Sequence, residues 1–508
     1  MQNIDFSPIS CMSHGVNALR EAWRGSYDGP LLNESEVILG TADGISDDSF
    51  RCLRSRLRNG RPLTIGTVGG SNTAGATSTN KGDATYLYHS LVSRALNHLH
   101  SVSHGSSHHR ATNGGIPQTG PLYHELCCSR HLPSAPDLII LDVAVNMAAK
   151  ALSAELRALE RLIRRLLRHP VRPALMAANT HRWRREGMEA ENASVFEEAV
   201  ERLCRHYSVP FVSLHAALVG AVRSGTRRWH DCMKRDGKHM GVVAHAFLAQ
   251  LVLHRFSTPS LPSLPSPLRE ACDPTFLRPL PVPLYDTHLW PPGFVAGCTT
   301  CADAGAAGGG SLAAHVTATD GFAFSDVPPG QGRSGYVAHV AGASLGLRFC
   351  CTAALSPSAV LFLTYYRGPE LGRAQLDCAG GCTCDKGVTL TAQTRGRRGY
   401  SDTYPTAQRV VLRMANHTVV APEDACCTVR LRALPPLVQL QQATSRLSPL
   451  FKLLSVGLGG HASEELNLNS MRTGYLVSQM QQKTLTRTRA RVREAATVGE
   501  SALVDNLF

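Results

Sequence analysis

Between Arg61 and Phe256 short apolar runs alternate with amphipathic helical stretches, and beyond Pro292 the hydrophobic period changes to two. This switch constrains the fold more than any other feature, because a helix period and a strand period bury different faces. The runs Leu63 to Val68, Leu138 to Val145, Ala174 to Ala178 and Pro210 to Leu214 are rich in Val, Ile and Leu and short enough for buried strands. Helical patterns lie between and after them, at Ala84 to His98, Ala149 to Arg168, Ser194 to Tyr207 and Val242 to Phe256. Strand alternating with helix predicts an α/β domain over 61–256, its parallel sheet covered on both faces. Ten prolines from Pro259 to Pro292 predict an extended, semi-stiff linker over 257–295. The period-two runs that follow, among them Leu345 to Cys351, Ala359 to Tyr366 and Cys427 to Leu431, predict an all-β sandwich over 296–434. Residues 1–60 read as an N-terminal extension with a short helix around Asp47 to Arg58, and 435–508 as a loosely ordered, arginine-bearing tail.

In the stretch Ala149 to Arg168, Leu152, Leu156, Leu159, Leu162, Ile163, Leu166 and Leu167 form one apolar stripe with Arg157, Arg161, Arg164, Arg165 and Arg168 mostly opposite. A membrane- or phosphate-binding helix shows this pattern too, but a solvated face on a sheet-covering helix is the expectation here. The formal charge of +13 argues only for affinity toward anionic surfaces. No nucleic-acid-binding module accompanies the arginines, so no nucleic-acid partner is expected. No run is long enough for a transmembrane helix, so no integral membrane segment is expected either.

Nine of the 16 cysteines follow position 290. Such density suits an oxidised domain with bridges, with Cys350 or Cys351 facing Cys426 or Cys427 as one option. Sequons at Asn33, Asn192 and Asn416 point the same way, toward the secretory pathway or the cell exterior. No secretory signal is visible at the N-terminus, and an incomplete N-terminus would reconcile the two. A zinc reading of Cys298, Cys301, Cys382 and Cys384 is weaker than bridges, because the pairs are unequally spaced and far apart. A metal site among His98, His100, His104, His108 and His109 is weaker than an unstructured Ser/Gly-rich loop. No metal and no cofactor is therefore expected.

Chemistry concentrates at four places. In Leu63-Thr64-Ile65-Gly66-Thr67-Val68-Gly69-Gly70-Ser71-Asn72-Thr73-Ala74-Gly75, a buried strand ends in two glycines that lift Ser71 to the carboxyl edge of the sheet. No Lys-Ser/Thr pair closes the loop, which excludes a P-loop. Asp236 and His239 precede the last helix of the α/β part, and a carboxylate three residues ahead of an imidazole can hold it toward an incoming hydroxyl. A serine hydroxyl needs such a base to become a nucleophile. Asn146 follows the run Asp137 to Val145, so its amide belongs at the same edge, and Gly114 offers an unhindered N–H. With the Ser71 N–H these donors make an oxyanion site, each worth ~3 kcal/mol of barrier.

These pieces, in the chain order Ser71, Gly114, Asn146 and then Asp236 with His239, resemble the blocks of the SGNH (GDSL-type) hydrolase superfamily. The Gly-Gly-Ser-Asn-Thr-Ala-Gly form is similar to a plant and algal branch in which a cysteine-bearing β domain follows, here carried by Tyr336-Val337-Ala338 and Cys378-Ala379-Gly380-Gly381-Cys382-Thr383-Cys384. The resemblance implies a three-layer α/β/α fold with a five-stranded parallel sheet and a cofactor-free mechanism on esters. Ser71 would be the nucleophile, His239 the base and Asp236 its orienting carboxylate, with Ser71, Gly114 and Asn146 as the oxyanion donors. Met147 stands where the family usually has aspartate and Met240 where proline is usual, and Gly115 serves in place of Gly114 if the loop shifts by one. The expected substrate is a small acyl ester or an acylated glycan, with O-acetyl groups foremost. An O-acyltransferase using the same triad and an inactive carbohydrate-binding relative remain as alternatives at this point.

Overall fold

The computed structural model describes residues 16–41, 48–75, 85–100, 108–116, 119–147, 152–180, 193–234, 237, 239–257, 279–285, 300–303, 311–325, 334–350, 358–367, 371–384, 388–392, 404–414, 426–435 and 451–460. One compact unit holds residues 1–147 and 153–462. A second, of residues 148–152 and 463–508, lies outside the described residues except for Leu152.

The first domain is built on five parallel strands, β1 (Thr64–Gly69), β2 (Arg110–Gly115), β3 (Leu138–Asp142), β4 (Ala174–Asn179) and β5 (Phe211–Ser213), in the order β2-β1-β3-β4-β5. Residues of β3 and β4 are buried throughout, as strands covered on both faces must be. Around them lie α1 (Glu34–Gly40), α2 (Asp48–Arg58), α3 (Ser71–Ala74), α4 (Tyr88–Leu99), α5 (Pro121–Cys127), α6 (Leu152–Leu167), α7 (Ala193–His206), α8 (Leu214–Arg223) and α9 (Val242–Ser257). Four of the five strands match apolar runs in the sequence. β2 does not, because it is a polar edge strand, Arg-Ala-Thr-Asn-Gly-Gly, paired through Ile65↔Ala111 and Val68↔Gly114.

The N-terminal segment corrects the expectation of a separate extension. Trp23, Leu32, Val37, Phe50, Leu53 and Leu57 belong to the same buried cluster as Leu91 and Phe247. Trp23 Nε1 donates to Leu91 O at 2.8 Å, and the backbone of Leu32 exchanges two hydrogen bonds with the Gln250 side chain. A fully buried Trp or Phe contributes on the order of 2–3 kcal/mol, so this segment is core. Asn33, the asparagine of the first sequon, caps α1 by accepting from Glu36 N–H at 2.9 Å. Asn192 and Asn416 lie outside the described residues.

The arginines of α6 are also used differently from expectation. Arg161 pairs with the Glu125 carboxylate, Arg165 donates to Glu125 O at 2.7 Å, and Arg164 donates to Tyr207 Oη at 2.8 Å and to Pro281 O at 2.6 Å. They tie α5 and the proline-rich segment to the domain. Within that segment Leu284 N–H and Tyr285 N–H both donate to the fully buried Glu160 carboxylate. The described part of the linker is therefore docked rather than merely a spacer.

The second domain is antiparallel. Strands β6 (Thr300–Asp303), β7 (Val316–Asp320), β8 (Phe322–Ser325), β9 (Gly335–Ala338), β10 (Ser344–Cys350), β11 (Ser358–Arg367), β12 (Arg373–Gly380), β13 (Cys382–Cys384), β14 (Val388–Thr391), β15 (Tyr404–Met414), β16 (Cys426–Leu434) and β17 (Phe451–Gly460) form two sheets. One runs β14-β12-β16-β10-β7, the other β13-β15-β11-β17-β9-β8 with β6 also paired to β17. Their inner faces meet in one cluster containing Leu345, Leu347, Phe349, Leu361, Leu376, Val429 and Leu431, the sandwich the period-two runs predict.

β17 corrects the domain limit at 434. It lies inside the stretch expected to be a loose tail, yet it pairs with β11 from Ala359↔Gly460 to Tyr365↔Leu453, and Phe451 and Leu453 are fully buried. The run Phe-Lys-Leu-Leu-Ser-Val-Gly-Leu breaks strict alternation, and a register shift between Thr364 and Tyr365 accommodates the break. Residues 461–508 lie outside the described residues.

Disulfides join Cys127–Cys301, Cys350–Cys426, Cys378–Cys384 and Cys382–Cys427. The second is among the pairings expected from sequence. The first links α5 to β6 and lies in a small apolar cluster with Tyr123 and Ile116. Cys301, Cys382 and Cys384 thus spend their sulfurs on bridges and not as thiolate ligands, which removes the zinc reading. Cys298 and Cys351 lie outside the described residues. Among the described residues no helix is long and apolar enough to cross a membrane.

Candidate active site

β1 delivers its chain to the carboxyl edge through Gly69 and Gly70, and α3 begins at once with Ser71. Gly75, at φ +67°, ends α3 after one turn in the left-handed region that a side chain disfavours. Ser71 is buried. Its N–H belongs to the first turn of α3, where amides have no acceptor within the helix.

His239 comes from the other end of the domain. Lys234 N–H donates to His239 O at 2.7 Å, Met233 and Met240 form an antiparallel bridge, and Gly241 N–H donates to Cys232 O at 2.7 Å. Gly237, at φ +67°, makes the reversal. This tight loop leads directly into α9, whose Ala244, Ala246, Phe247, Leu248, Leu251 and Val252 are wholly buried. The half-buried imidazole is thereby held with Nε2 2.8 Å from Ser71 Oγ. Positions 168 residues apart in the chain are within hydrogen-bond reach. Asp236 lies outside the described residues.

Asn146 stands at the same edge, just past β3. Its Nδ2 donates to Thr119 O at 2.9 Å with one N–H, leaving the amide's second N–H for another acceptor. The amide occupies the space over Gly70, where any Cβ would fall on Nδ2. Met147 is buried and its N–H bonds Ala144 O at 3.0 Å, so the change from aspartate leaves the Asn146 contact in place.

Gly114 departs from expectation. It lies inside β2 opposite Val68, and its N–H donates to Thr67 Oγ1 at 3.3 Å. That hydroxyl in turn donates to Thr112 O at 3.1 Å, so the donor is turned into the sheet. Gly115 N–H is likewise directed, at Asn113 Oδ1. His109, from the histidine-rich stretch, has a structural place: it accepts from Leu63 N–H at 3.0 Å and its other nitrogen meets His100 O. His104 lies outside the described residues.

Several residues not singled out in the sequence complete the site. Thr119, whose carbonyl holds Asn146, donates its hydroxyl to Ile116 O at 2.7 Å. The wholly buried His124 Nε2 lies 3.0 Å from Gly69 O and 2.9 Å from that hydroxyl, so it must carry the proton and donate to both. Asp142, wholly buried at the end of β3, accepts from Thr73 Oγ1 at 2.8 Å and Thr180 Oγ1 at 2.7 Å. Burial pushes its carboxyl up to about 6, against the pull of the two hydroxyls. A carboxylate inside an apolar strand run signals such a role, since burying it alone is costly. His89 and His245 are pushed down to about 4 and about 3 by burial, so both are neutral. Beside Ser71 a cleft of about 240 Å³, including its open part, is walled by Gly75, Tyr86, Met240, Val242 and His245.

The comparisons with known proteins bear on the family and the fold. A family model for the GDSL-like Lipase/Acylhydrolase family matches residues 67–247. No curated protein matches the chain at a significant level. Among solved structures, a two-domain esterase (CEX) active on acetylated mannans, co-crystallized with mannopentaose, is 18% identical with a TM-score of 0.56, and the match covers 84% of this chain and 99% of that one. A second structure of a two-domain esterase (CEX) active on acetylated mannans is 17% identical with a TM-score of 0.55 over the same shares. At such identities the likeness establishes the fold, an α/β domain followed by antiparallel β sheets. Residues 67–247 accordingly form a GDSL-like lipase/acylhydrolase (SGNH) domain, a domain of the ester hydrolases.

Proposed function

We propose that the protein is a serine esterase that removes acetyl groups from a glycan through an acyl-serine intermediate. The observation that carries this reading is the 2.8 Å contact between His239 Nε2 and Ser71 Oγ at the rim of the sheet. Ser71 Oγ attacks the acyl carbon as His239 Nε2 takes its proton. Negative charge develops on the former carbonyl oxygen, and the Ser71 N–H and the second N–H of Asn146 Nδ2 hold it. Gly114 is left out of this set because Thr67 Oγ1 holds its N–H. Collapse breaks the ester bond, and the imidazolium returns its proton to the departing sugar oxygen. Water, deprotonated by His239, then attacks the acyl-serine and releases acetate and free Ser71. Asp236, three residues before the imidazole, is assigned on sequence grounds to orient it.

The acyl group is assigned from the cleft. The space beside Ser71 is small, about 240 Å³ even with its open part counted. Buried Tyr86 and Met240 line it, which favours a short acyl group. The glycan rests on the likeness to the two-domain esterases active on acetylated mannans. The cysteine-bearing β domain, with its Cys378–Cys384 bridge, also supports the plant and algal branch of the superfamily.

Hydrolysis of p-nitrophenyl acetate, butyrate and octanoate tests the acyl assignment. Acetate is expected to be favoured over octanoate by at least about 100-fold in kcat/KM, since several methylenes have no pocket to enter. Release of acetate from acetylated mannan tests the glycan. A preference for octanoate, or no acetate release with any acetylated polysaccharide, contradicts the respective part.

A further inference from the structure

Asn72, the residue after the nucleophile, also reaches the loop that carries the imidazole. Met240 N–H donates to Asn72 Oδ1 at 3.0 Å, Asn72 Nδ2 donates to Thr180 Oγ1 at 3.1 Å, and Thr180 Oγ1 donates to Asp142 Oδ1 at 2.7 Å. The backbone N–H at its end belongs to the residue next to His239. Asn72, Thr180 and Asp142 are all buried, with at most 2% of each side chain's residue exposed. We infer that Asn72 is a positioning residue for His239, set in one orientation by the chain of hydrogen bonds through Thr180 to Asp142.

The direction of that chain is what fixes the orientation. A threonine hydroxyl has one proton to give, and Thr180 gives it to the Asp142 carboxylate, which can only accept. The lone pairs of Thr180 therefore face Asn72 and require its Nδ2. With Nδ2 committed, Oδ1 is turned to Met240 N–H. The other carboxylate oxygen of Asp142 accepts from Thr73 Oγ1, and Asp142 O accepts Gly70 N–H at 3.3 Å. One buried acid at the end of β3 thus fastens both the nucleophile turn and, through Asn72, the imidazole loop. A shift of about 1 Å at the reacting atoms costs on the order of 100-fold in rate, so such a tether bears on turnover.

The inference rests on the reading of Ser71 and His239 given above, and a reciprocal exchange tests it on the full chain at pH 8. Asn72→Asp keeps an oxygen for Met240 N–H but sets a second oxygen against Thr180 Oγ1. It is expected to lower kcat for p-nitrophenyl acetate about 30-fold with KM within about 3-fold. Adding Asp142→Asn supplies a carboxamide N–H to Thr180, whose proton then goes to the new carboxylate at position 72. The three hydrogen bonds of the chain are then made again with the Asn72–Thr180–Asp142 direction reversed, so the double variant is expected to recover to within about 3-fold of the parent. A merely structural role predicts instead that Asn72→Asp lowers the melting temperature while kcat per folded molecule stays within about 3-fold of the parent, so thermal denaturation is followed beside the kinetics. Thr180→Val, expected to lower kcat about 10-fold, carries the test should Asn72→Asp fail to fold. Full activity of Asn72→Asp or Thr180→Val, or a folded double variant no better than Asn72→Asp, overturns the inference. Absence of turnover in the parent protein is a different outcome and points to failure of the esterase reading itself.

Discussion

His239→Gln is expected to lower kcat for p-nitrophenyl acetate by about 10³–10⁴-fold while KM changes little. The carboxamide can occupy the place of the imidazole near Ser71 Oγ, now 2.8 Å from Nε2, but it cannot take the serine proton and return it to the leaving oxygen. Loss of one triad member leaves only binding and oxyanion stabilisation, which still exceed the rate in water by about 10³–10⁴. Steady-state kinetics at pH 8 check this, with circular dichroism to establish that the variant is folded. Turnover within about 10-fold of the parent contradicts the role of His239 as general base.

Gly70→Ala is expected to cost at least about 100-fold in kcat, although it adds a single methyl group. The position lies between β1 and Ser71, and a Cβ there would fall on Asn146 Nδ2. The amide must move away, and with it the donor assigned to the developing negative charge. Removal of one such donor costs ~3 kcal/mol, or about 10²–10³ in rate. Asn146→Ala removes the same donor without crowding the turn, so the two variants should lose rate to a similar degree and the combined variant should lose little more. Multiplicative losses in the combined variant contradict the idea that Gly70 acts through Asn146.

The parts of the site that the sequence discloses are those set by single elements. A strand that ends in Gly-Gly-Ser lifts its serine whatever the rest of the chain does, and an imidazole placed just before a largely apolar helix must emerge where that helix begins. Asn146 follows in the same way from the end of the Leu138–Asp142 strand. Gly114 fails because its role depends on pairing. In isolation Thr-Asn-Gly-Gly reads as a loop, but opposite β1 it becomes a polar edge strand, and the neighbouring Thr67 hydroxyl takes the glycine's N–H. The Asn72–Thr180–Asp142 chain is hidden for a related reason, since its members come from the ends of three segments and only the packed sheet brings them together.

The same distinction explains the domain limits. Periodicity reports what one face of a segment buries, and it reads β10 and β16 correctly because burial alternates along β10 and along β16 from Cys427 onward. It misses β17, whose central place is decided by β11 and β9 on either side. It also misses the N-terminal segment, where Trp23 and Phe50 are spread among polar residues and their burial depends on α4 and α9, far along the chain. The Cys127–Cys301 bridge, across 174 residues, is likewise a product of the assembled fold.

The proposed chemistry stands most directly on the reactivity of one hydroxyl. A fluorophosphonate, which phosphonylates only an activated serine, should add one adduct to the intact protein, and peptide mapping should locate it on Ser71. Ser71→Ala should stay unmodified, and His239→Gln should react far more slowly. An unmodified parent protein, or equal modification of Ser71→Ala, would contradict the proposed chemistry while leaving the fold as described.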